Sequence, residues 1–468
     1  MTPDKTPQNF YLGGGPTETM MSLTGAMLLI LAGILILCLP RKYVIIPALL
    51  AVFLVPGGES VVVAGFHFNP TRLIALFGWI RIARPTFSGA PGSLGARWNS
   101  IDSAFLWSEV CGACAFILLW MKWGAVFNQI GALSGTLAIY FLMRFLIRDQ
   151  QDIFRAAKVF AVIAAINSVE MVHEQLKFQN MFGYYIGGVD VLPSIRDGQI
   201  RSQGAFGHPV LAGTFAATLI PLLLALWKGG KSDWIAFLGI GSALLMVYTS
   251  ASSTPLLAVI AGMLALCFWP IRRSMRVVRW AIVGFLVVAQ IFMKAPFWFL
   301  IARMDVVGAS SGYHRAELVD VFIRHFFDWW LVGTNNAGSW GWEMFDTSNQ
   351  YVSRGESGGV LAFIFFIALI SRSFGRLGKA GKTVKGGPNA EWLLWFLGAA
   401  LFAHVVGFFG ISYWDQTAVA WFALLAMISA ATAPIRAPTA TPRRPGAKAE
   451  PELALIALAG SEINDLPA

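Results

Sequence analysis

The chain alternates between long apolar segments and short polar connections along most of its length. An α-helix needs about 20 apolar residues to cross a bilayer, and thirteen segments approach that length. They are residues 20–39, 43–56, 70–84, 102–122, 127–147, 152–172, 207–227, 233–250, 254–271, 279–294, 357–375, 391–410 and 417–433. This pattern predicts an all-α integral membrane protein, a polytopic bundle of about 12–13 transmembrane helices, in which 43–56 and 70–84 are shorter than the rest.

Basic residues cluster in four of the connections, and an even number of predicted helices separates each pair of clusters. The clusters are Arg41 with Lys42, Lys228 with Lys231, Arg272 to Arg279, and Arg372 to Lys385. Because cytoplasmic loops of membrane proteins are enriched in Lys and Arg, all four are expected on the cytoplasmic side. The connections at 57–69, 173–206 and 295–356 are then expected on the outer side.

The composition agrees with this class of protein. The 468-residue chain is 56% hydrophobic and 13% charged, with a mean hydropathy of +0.64, whereas soluble domains carry about 25% charged residues. The net charge of +10 resides in short loop clusters, which does not indicate a nucleic-acid partner. Cys111 and Cys114 have the spacing of one turn of a lipid-buried helix, and no acidic cluster has metal-ligand spacing, so neither a metal nor a cofactor is predicted.

Four regions follow from the change in composition along the chain. Residues 1–19 are a polar N-terminal segment, and 20–200 are an N-terminal transmembrane bundle. Residues 201–432 contain the remaining helices and the long outer loop at 295–356. Residues 433–468 are rich in Pro and Ala and are expected to be a disordered cytoplasmic tail.

A fixed cation stands directly before one of the apolar segments. Arg201 is followed by a glycine turn and by His208-Pro209, after which the segment at 207–227 continues. A cation at the boundary of a membrane helix is costly unless it meets an anion, and a phosphate-bearing lipid would supply one. His208 either bonds the same anion or caps the turn before Pro209.

The long outer loop concentrates charged, amide and aromatic side chains. Tryptophan rings and amides suit a carbohydrate, and arginines suit a diphosphate. The alternative is an amphipathic helix at 314–328 whose charged side faces solvent or lipid headgroups. The residues concerned are His314, Arg315, Trp340, Trp342, Asp346, Asn349, Tyr351 and Glu356. Two polar residues inside apolar segments, Glu109 and His404, either line a path or are paired within the bundle.

These motifs resemble the O-antigen ligase/polymerase-like family. The resemblance rests on Arg201-x-x-Gly-x-Phe-x-x-Pro-x-x-x-Gly at the start of a helix, and on Asp346-x-x-Asn-Gln-Tyr-Val before Gly358-Gly359. It covers roughly residues 200–430 and implies a GT-C-like fold in the bacterial inner membrane. Family members transfer a glycan from a polyprenyl diphosphate to a lipid, a polysaccharide or a protein on the outer side. Ligases of the family carry a histidine where this chain has Ser348, so the resemblance favours a polymerase over a ligase.

On this reading Arg201, Arg315 and His208 bind the donor diphosphate. Asp346, His314 and Glu356, in that order, are the candidate bases, and the sugar-binding residues are Asn349, Tyr351, Trp340 and Trp342. The expected partners are a polyprenyl-diphosphate-linked glycan, a glycan or lipid acceptor, membrane lipids and other polysaccharide-assembly proteins. The alternatives are a ligase, a transporter or flippase of lipid-linked glycan, and a non-catalytic scaffold.

Overall fold

The computed structural model describes residues 19–63, 66–83, 98–229, 233–304, 311–383 and 388–433. Within these ranges the chain forms sixteen α-helices and four short strands, so the expected all-α architecture is confirmed for the described residues. The polar N-terminal segment up to residue 18, the cytoplasmic tail from 434, and the loop residues Lys231 and Lys385 lie outside them.

Each of the thirteen predicted segments coincides with one helix. These helices are α1 (Leu23–Cys38), α2 (Arg41–Leu54), α3 (Pro70–Ala83), α4 (Ser100–Trp120), α5 (Trp123–Leu146), α6 (Gln150–Lys177), α8 (Pro209–Lys228), α9 (Asp233–Thr249), α10 (Ser253–Cys267), α11 (Met275–Phe292), α14 (Gln350–Thr383), α15 (Pro388–Gly407) and α16 (Gln416–Ala431). The expected outer connections contain α7 (Met181–Tyr185), α12 (Ser311–Arg324), α13 (Phe326–Trp329) and two antiparallel hairpins. The hairpin strands are β1 (Val61–Val63) with β2 (Phe66–Phe68), and β3 (Ser194–Arg196) with β4 (Gln199–Arg201).

Seven helices in the described part of the chain are long and apolar enough to cross a membrane. They are α4, α5, α6, α8, α14, α15 and the continuous segment Trp269–Phe292, which ends with α11. Another four, α1, α9, α10 and α16, are apolar but shorter. At 14 residues each, α2 and α3 extend about 21 Å, less than the hydrocarbon core of about 30 Å. The described helices therefore indicate an integral membrane protein, and the number of crossings stays a prediction.

Helix α8 is the central helix of the bundle. Nearly all of its residues are buried, as expected for a helix that is apolar on every side, and it packs against α9, α10 and α15. Its Phe215 stacks on Phe53 of α2 with ring centroids 4.8 Å apart. The ring of Phe206, on the segment that precedes α8, has its centroid 5.1 Å from that of Phe215. The Arg201 motif thus leads directly into the best-packed helix.

Helix α14 packs along α4 and is broken at Gly359. A side chain at Gly358 would come within 3.0 Å of the Gly112 Cα on α4, so small residues allow the two helices to approach closely. Gly359 has φ +65° and ψ −172°, which suits glycine and interrupts the helix. This break lies close to residue 357, where the sequence predicted that the outer loop ends and the next membrane segment begins.

Contacts between connections divide them into two groups at opposite ends of the helices. At one end Ser202 N donates to Thr249 O (3.0 Å), Gln350 N donates to Phe408 O (2.8 Å), and Met20 pairs with Ser60. At the other end lie the basic clusters, whose contacts are Arg41 with Asp152, Arg272 with Glu391, Arg372 with Ser100 O, and Arg376 with Thr432. The positive-inside rule predicts that the end with the basic clusters is cytoplasmic.

Candidate functional site

The segment from Arg201 to Gly207 is fixed by a buried carboxylate of α6. Glu174 is fully buried, and its Oε2 accepts hydrogen bonds from Gln203 N (3.0 Å), Gly204 N (3.1 Å) and Asn180 Nδ2 (3.3 Å). Gly204 has φ +59°, a left-handed conformation that turns both amide groups toward the same acceptor. One carboxylate therefore holds the turn of the motif.

Three further side chains hold the following residues of the segment. Asn167 Oδ1 of α6 accepts from Ala205 N (3.2 Å), and Gln416 Nε2 of α16 donates to Ala205 O (2.7 Å). Asp415 Oδ2 accepts from Gly207 N (3.2 Å). Sequence reasoning missed these residues and Glu174, although a carboxylate and amides within apolar helices are a signal of a polar site.

Arg201 is a buried cation without an ion-pair partner among the described residues. Its Nη2 donates to Ser252 Oγ (2.8 Å) at the connection between α9 and α10, and its Nε is buried without a hydrogen bond in this part of the chain. Burial lowers the pKa of Arg201, and the nearby charge of Arg196 lowers it further. Guanidinium groups nevertheless keep their charge in proteins, so this side chain offers positive charge to a ligand.

His208 caps the first turn of α8. Its Nδ1 accepts from Val210 N at 3.2 Å, so the capping role foreseen for this residue is confirmed. Burial lowers the pKa of His208 to about 4, and the charges of Arg201 and Arg196 act in the same direction. The imidazole is therefore neutral near pH 7, and with Nδ1 accepting, Nε2 carries the proton. A bond from Nε2 to a diphosphate stays a prediction.

Arg315 is buried on α12 in the long loop. Leu318 and Phe322, three and seven residues later, share its face of the helix. Phe322 stacks on Trp329 at 4.0 Å, and both rings meet Gly355 on α14. Residues 314–328 do not form the single amphipathic helix considered from the sequence, because α12 ends at Arg324 and α13 begins at Phe326. Arg315 lies on the buried face of α12 and not on a solvated side, and this face turns toward the start of α14. The convergence of Arg315 and Arg201 on one diphosphate stays a prediction.

The three candidate bases differ in exposure. Asp346 is exposed, whereas Glu356 is buried and its Oε2 accepts from Thr347 Oγ1 (2.7 Å). The Oε1 of Glu356 and the Nε2 of half-buried His314 are buried atoms with no hydrogen-bond partner in the described ranges. Asp346 is the accessible carboxylate, and Glu356 is the one held in a fixed position.

The amide and phenol proposed for sugar binding are engaged within the protein. Asn349 Oδ1 accepts from Tyr351 N (2.9 Å) and Val352 N (3.2 Å), which caps the start of α14. Tyr351 OH donates to Val405 O (2.8 Å) on α15. These bonds give both side chains a structural role, and sugar binding by them stays a prediction.

The two tryptophans proposed for sugar binding lie on the long loop. Trp340 stacks on His325 with ring centroids 5.0 Å apart, and Trp342 is 84% exposed. The ring of Trp342 is therefore free to meet a ligand, while one face of Trp340 is already covered.

A cavity of about 550 Å³ lies between the Arg201 segment and the start of α14. None of the ten predicted site residues lines it, but their neighbours Gln203, Gly207, Gln350 and Arg354 do. The two sequence motifs therefore meet at one cavity through residues that sequence reasoning did not select. Its charged lining residues are Arg72, Glu109, Asp190, Arg354 and Asp415.

The two polar residues foreseen inside apolar segments are both paired. Glu109 Oε1 of α4 forms an ion pair with Arg354 Nη1 at 2.9 Å and also lines the cavity, so the pairing considered for it is confirmed and a path stays a prediction. His404 is buried, and its Nδ1 lies 2.9 Å from the hydroxyl of Tyr413.

Comparison of the chain with protein-family models gave no match, and a search of curated proteins gave none either. The likeness to the O-antigen ligase/polymerase-like family therefore rests on the residues quoted from the sequence.

Proposed function

We propose that the chain is a membrane glycosyltransferase that polymerises repeat units of an exopolysaccharide or O-antigen on the outer side of a bacterial inner membrane. The observation that carries this proposal is the state of Arg201. It is buried at the mouth of the central helix and forms no ion pair within the described part of the chain. A polyprenyl diphosphate would supply the anion, since guanidinium groups bind phosphate oxygens through paired hydrogen bonds.

The proposed reaction is a displacement at the anomeric carbon of the donor sugar. A hydroxyl of the acceptor glycan forms the new glycosidic bond, and the bond from that carbon to the diphosphate breaks. Polyprenyl diphosphate leaves with the electron pair, and the hydroxyl proton passes to a carboxylate, for which Asp346 is our first candidate. Arg201 and Arg315 would stabilise the charge that develops on the leaving group.

The rigidity of the Arg201 segment supports catalysis rather than binding alone. Cationic groups lower a barrier most when they are already oriented for the charge of the transition state. Ser252 holds the guanidinium of Arg201, and Glu174 holds the turn that follows it. Both contacts reduce the reorganisation required when the diphosphate leaves.

A ligase reaction on a lipid or protein acceptor uses the same donor chemistry and is the second candidate. A transporter would need charged groups along a path that reaches both leaflets. Toward the basic end, Arg144 makes two hydrogen bonds to Asp102 (2.8 and 3.0 Å), and Tyr140 donates to the same carboxylate (2.7 Å). These opposite charges are paired with each other within the protein, which favours an enzyme over a transporter.

The first test is transfer by the purified chain in lipid, with a polyprenyl-diphosphate oligosaccharide as donor. Arg201→Lys keeps the charge but loses the paired hydrogen bonds. We expect kcat/KM to fall roughly 10- to 100-fold, since a hydrogen bond to a charged group contributes about 1.5–3 kcal/mol. Arg315→Lys should lower kcat/KM to a similar extent. The matched control is Arg196→Lys on the exposed hairpin, which should retain activity. Full activity in both Arg201→Lys and Arg315→Lys would contradict the proposal that these two arginines stabilise the leaving diphosphate.

The second test distinguishes the functions in cells that lack the protein. Lipid-linked oligosaccharides would be extracted and sized. Accumulation of single repeat units is the outcome expected for a polymerase, whereas accumulation of full-length polymer on its carrier would indicate a ligase. Neither product would accumulate if the chain had no part in glycan transfer.

A further inference from the structure

The cavity between the Arg201 segment and α14 is lined by polar side chains of both hydrogen-bonding kinds. Arg72 and Arg354 carry donors, Asp190 carries acceptors, and Gln203 and Gln350 carry both. The lining therefore offers donors and acceptors to one ligand.

The charges of the lining do not favour an anion. The lining carries two arginines, Arg72 and Arg354, and three carboxylates, those of Glu109, Asp190 and Asp415. Arg354 is already paired with Glu109, so a phosphate would meet more carboxylates than arginines in the lining. The cavity also lies beside Arg201 rather than around it, because Arg201 turns to Ser252 and is not part of the lining.

Aromatic rings complete the cavity. Trp414 lines it and is 60% exposed. A side chain at Gly207 would come within 2.5 Å of the Trp414 ring, so the glycine provides the space that lets this ring lie against the segment. Aromatic rings offer a flat apolar surface beside the polar groups of the cavity.

We infer that this cavity binds a neutral sugar ring of the acceptor glycan. A sugar hydroxyl both donates and accepts, as hydroxyls do generally, so the hydroxyls of one ring can bond lining groups of both kinds while its C–H face stacks on Trp414. The volume of about 550 Å³ falls within the range of about 300–1,000 Å³ common for small-molecule sites. The assignment to the acceptor rests on the proposed function, since the donor sugar is joined to the diphosphate that Arg201 would hold.

The binding test uses the full chain in lipid nanodiscs and a panel of methyl glycosides of glucose, galactose, mannose, rhamnose and N-acetylglucosamine. Saturation-transfer NMR should detect at least one of them. Trp414→Ala should weaken its binding about tenfold, because a ring contact contributes about 0.5–1.5 kcal/mol, and Trp414→Phe should retain most of it. Arg354→Lys should also weaken binding while keeping a cation for Glu109. The control is Trp234→Ala. Trp234 is exposed and lies at the start of α9, away from the end that contacts the Arg201 segment, so this variant should bind the glycoside as the unmodified chain does.

Three results would overturn the inference. The first is the absence of saturation transfer to every glycoside of the panel. The second is binding that is unchanged in both Trp414→Ala and Arg354→Lys, which would place the sugar elsewhere. The third is tighter binding of inorganic pyrophosphate that Arg354→Lys abolishes, which would make the cavity an anion site.

A kinetic measurement separates this inference from the proposed function. Trp414→Ala should raise the KM for the acceptor glycan about tenfold and leave the affinity for the donor unchanged. Transfer with an unchanged acceptor KM would contradict the cavity assignment but not the glycosyltransferase. Glycoside binding without any transfer would contradict the glycosyltransferase and the acceptor role, while the sugar site itself would stand.

Discussion

At the scale of single residues, the outer end differs from the basic end in how its buried charges are satisfied. Asp102 and Arg144 neutralise each other through two hydrogen bonds. The Oε2 of Glu174 instead accepts hydrogen bonds from backbone N–H groups of the Arg201 segment, and Arg201 has no carboxylate partner in the described part of the chain. Breaking a buried pair is costly, so a cation kept without a partner indicates a ligand.

The pKa of His208 leads to a prediction on stability. Its folded-state pKa of about 4 lies below the ordinary value of about 6.5, so the unfolded chain binds the proton more readily. The stability contributed by neutral His208 is complete above about pH 6.5 and is lost as the pH falls toward 4. In thermal unfolding at pH 8 and pH 5, the unmodified chain should lose more stability than His208→Asn, which caps a helix without titrating. An equal loss of thermal stability in both proteins would contradict the lowered pKa of His208.

The choice between the two carboxylates is a prediction on turnover. Asp346→Asn keeps the size of the side chain but removes the base, so kcat should fall about 100-fold or more while donor affinity is retained. Glu356→Gln should have the smaller effect, because its buried side chain can still accept from Thr347. Steady-state transfer and donor binding in lipid measure both quantities. The reverse order would assign the base to Glu356.

At the scale of elements, the break in α14 joins the long loop to the bundle. The turn that follows α13 supplies hydrogen bonds to the broken part of the helix. Val360 N donates to Trp330 O (2.8 Å), and Thr334 N donates to Glu356 O (2.8 Å). Gly333 and Gly359 both have positive φ, which lets this turn approach the helix closely. The same contacts fix the position of Glu356 relative to α12 and α13.

Glycine at the break should therefore be required for stability. Gly359→Ala would force a side chain to 2.6 Å from Leu331 O at a φ of +65°, and we expect a loss of about 1–3 kcal/mol. Gly375→Ala, later in the same helix, meets no atom within 4 Å and should be neutral or stabilising by up to about 1 kcal/mol. Unfolding in detergent compares the two. Equal stability of both variants would show that the break is not strained.

At the scale of the whole molecule, the helices separate a basic end from an end that carries the motifs. Ser339 belongs to the long loop at the end that carries the motifs, and Lys382 lies in the last turn of α14 at the basic end. Both positions are exposed, so each can report the side of the membrane on which it lies.

Labelling should place these two ends on opposite sides of the membrane. In a chain without its four cysteines, Ser339→Cys should react with an impermeant thiol reagent added from the outer side, and Lys382→Cys should react only after the membrane is opened. Disruption of the membrane before labelling is the control for both positions. Labelling in the reverse order would put the motifs on the cytoplasmic side and exclude an outer-side donor.

Local patterns along the chain were enough to predict the class of fold and the segments that become helices. Runs of apolar residues form helices because backbone groups in lipid must be satisfied internally, so hydropathy locates helices without tertiary information. Basic clusters predicted which connections share an end, and the glycine pair at 358 and 359 marked the end of the long loop. The Arg201 motif was visible because a cation beside an apolar segment is locally unusual.

Which polar groups meet depends on the packing of the helices and could not be predicted from local patterns. Glu174, Gln416 and Arg354 are far apart in the sequence, and each could have been an isolated polar residue on a helix. Their contacts depend on how α6, α14 and α16 pack, and helix packing is set by side-chain shape over long sequence separations, which no local pattern encodes. The cavity beside Arg201, and the neutral sugar that we infer within it, therefore follow from the fold and not from any motif.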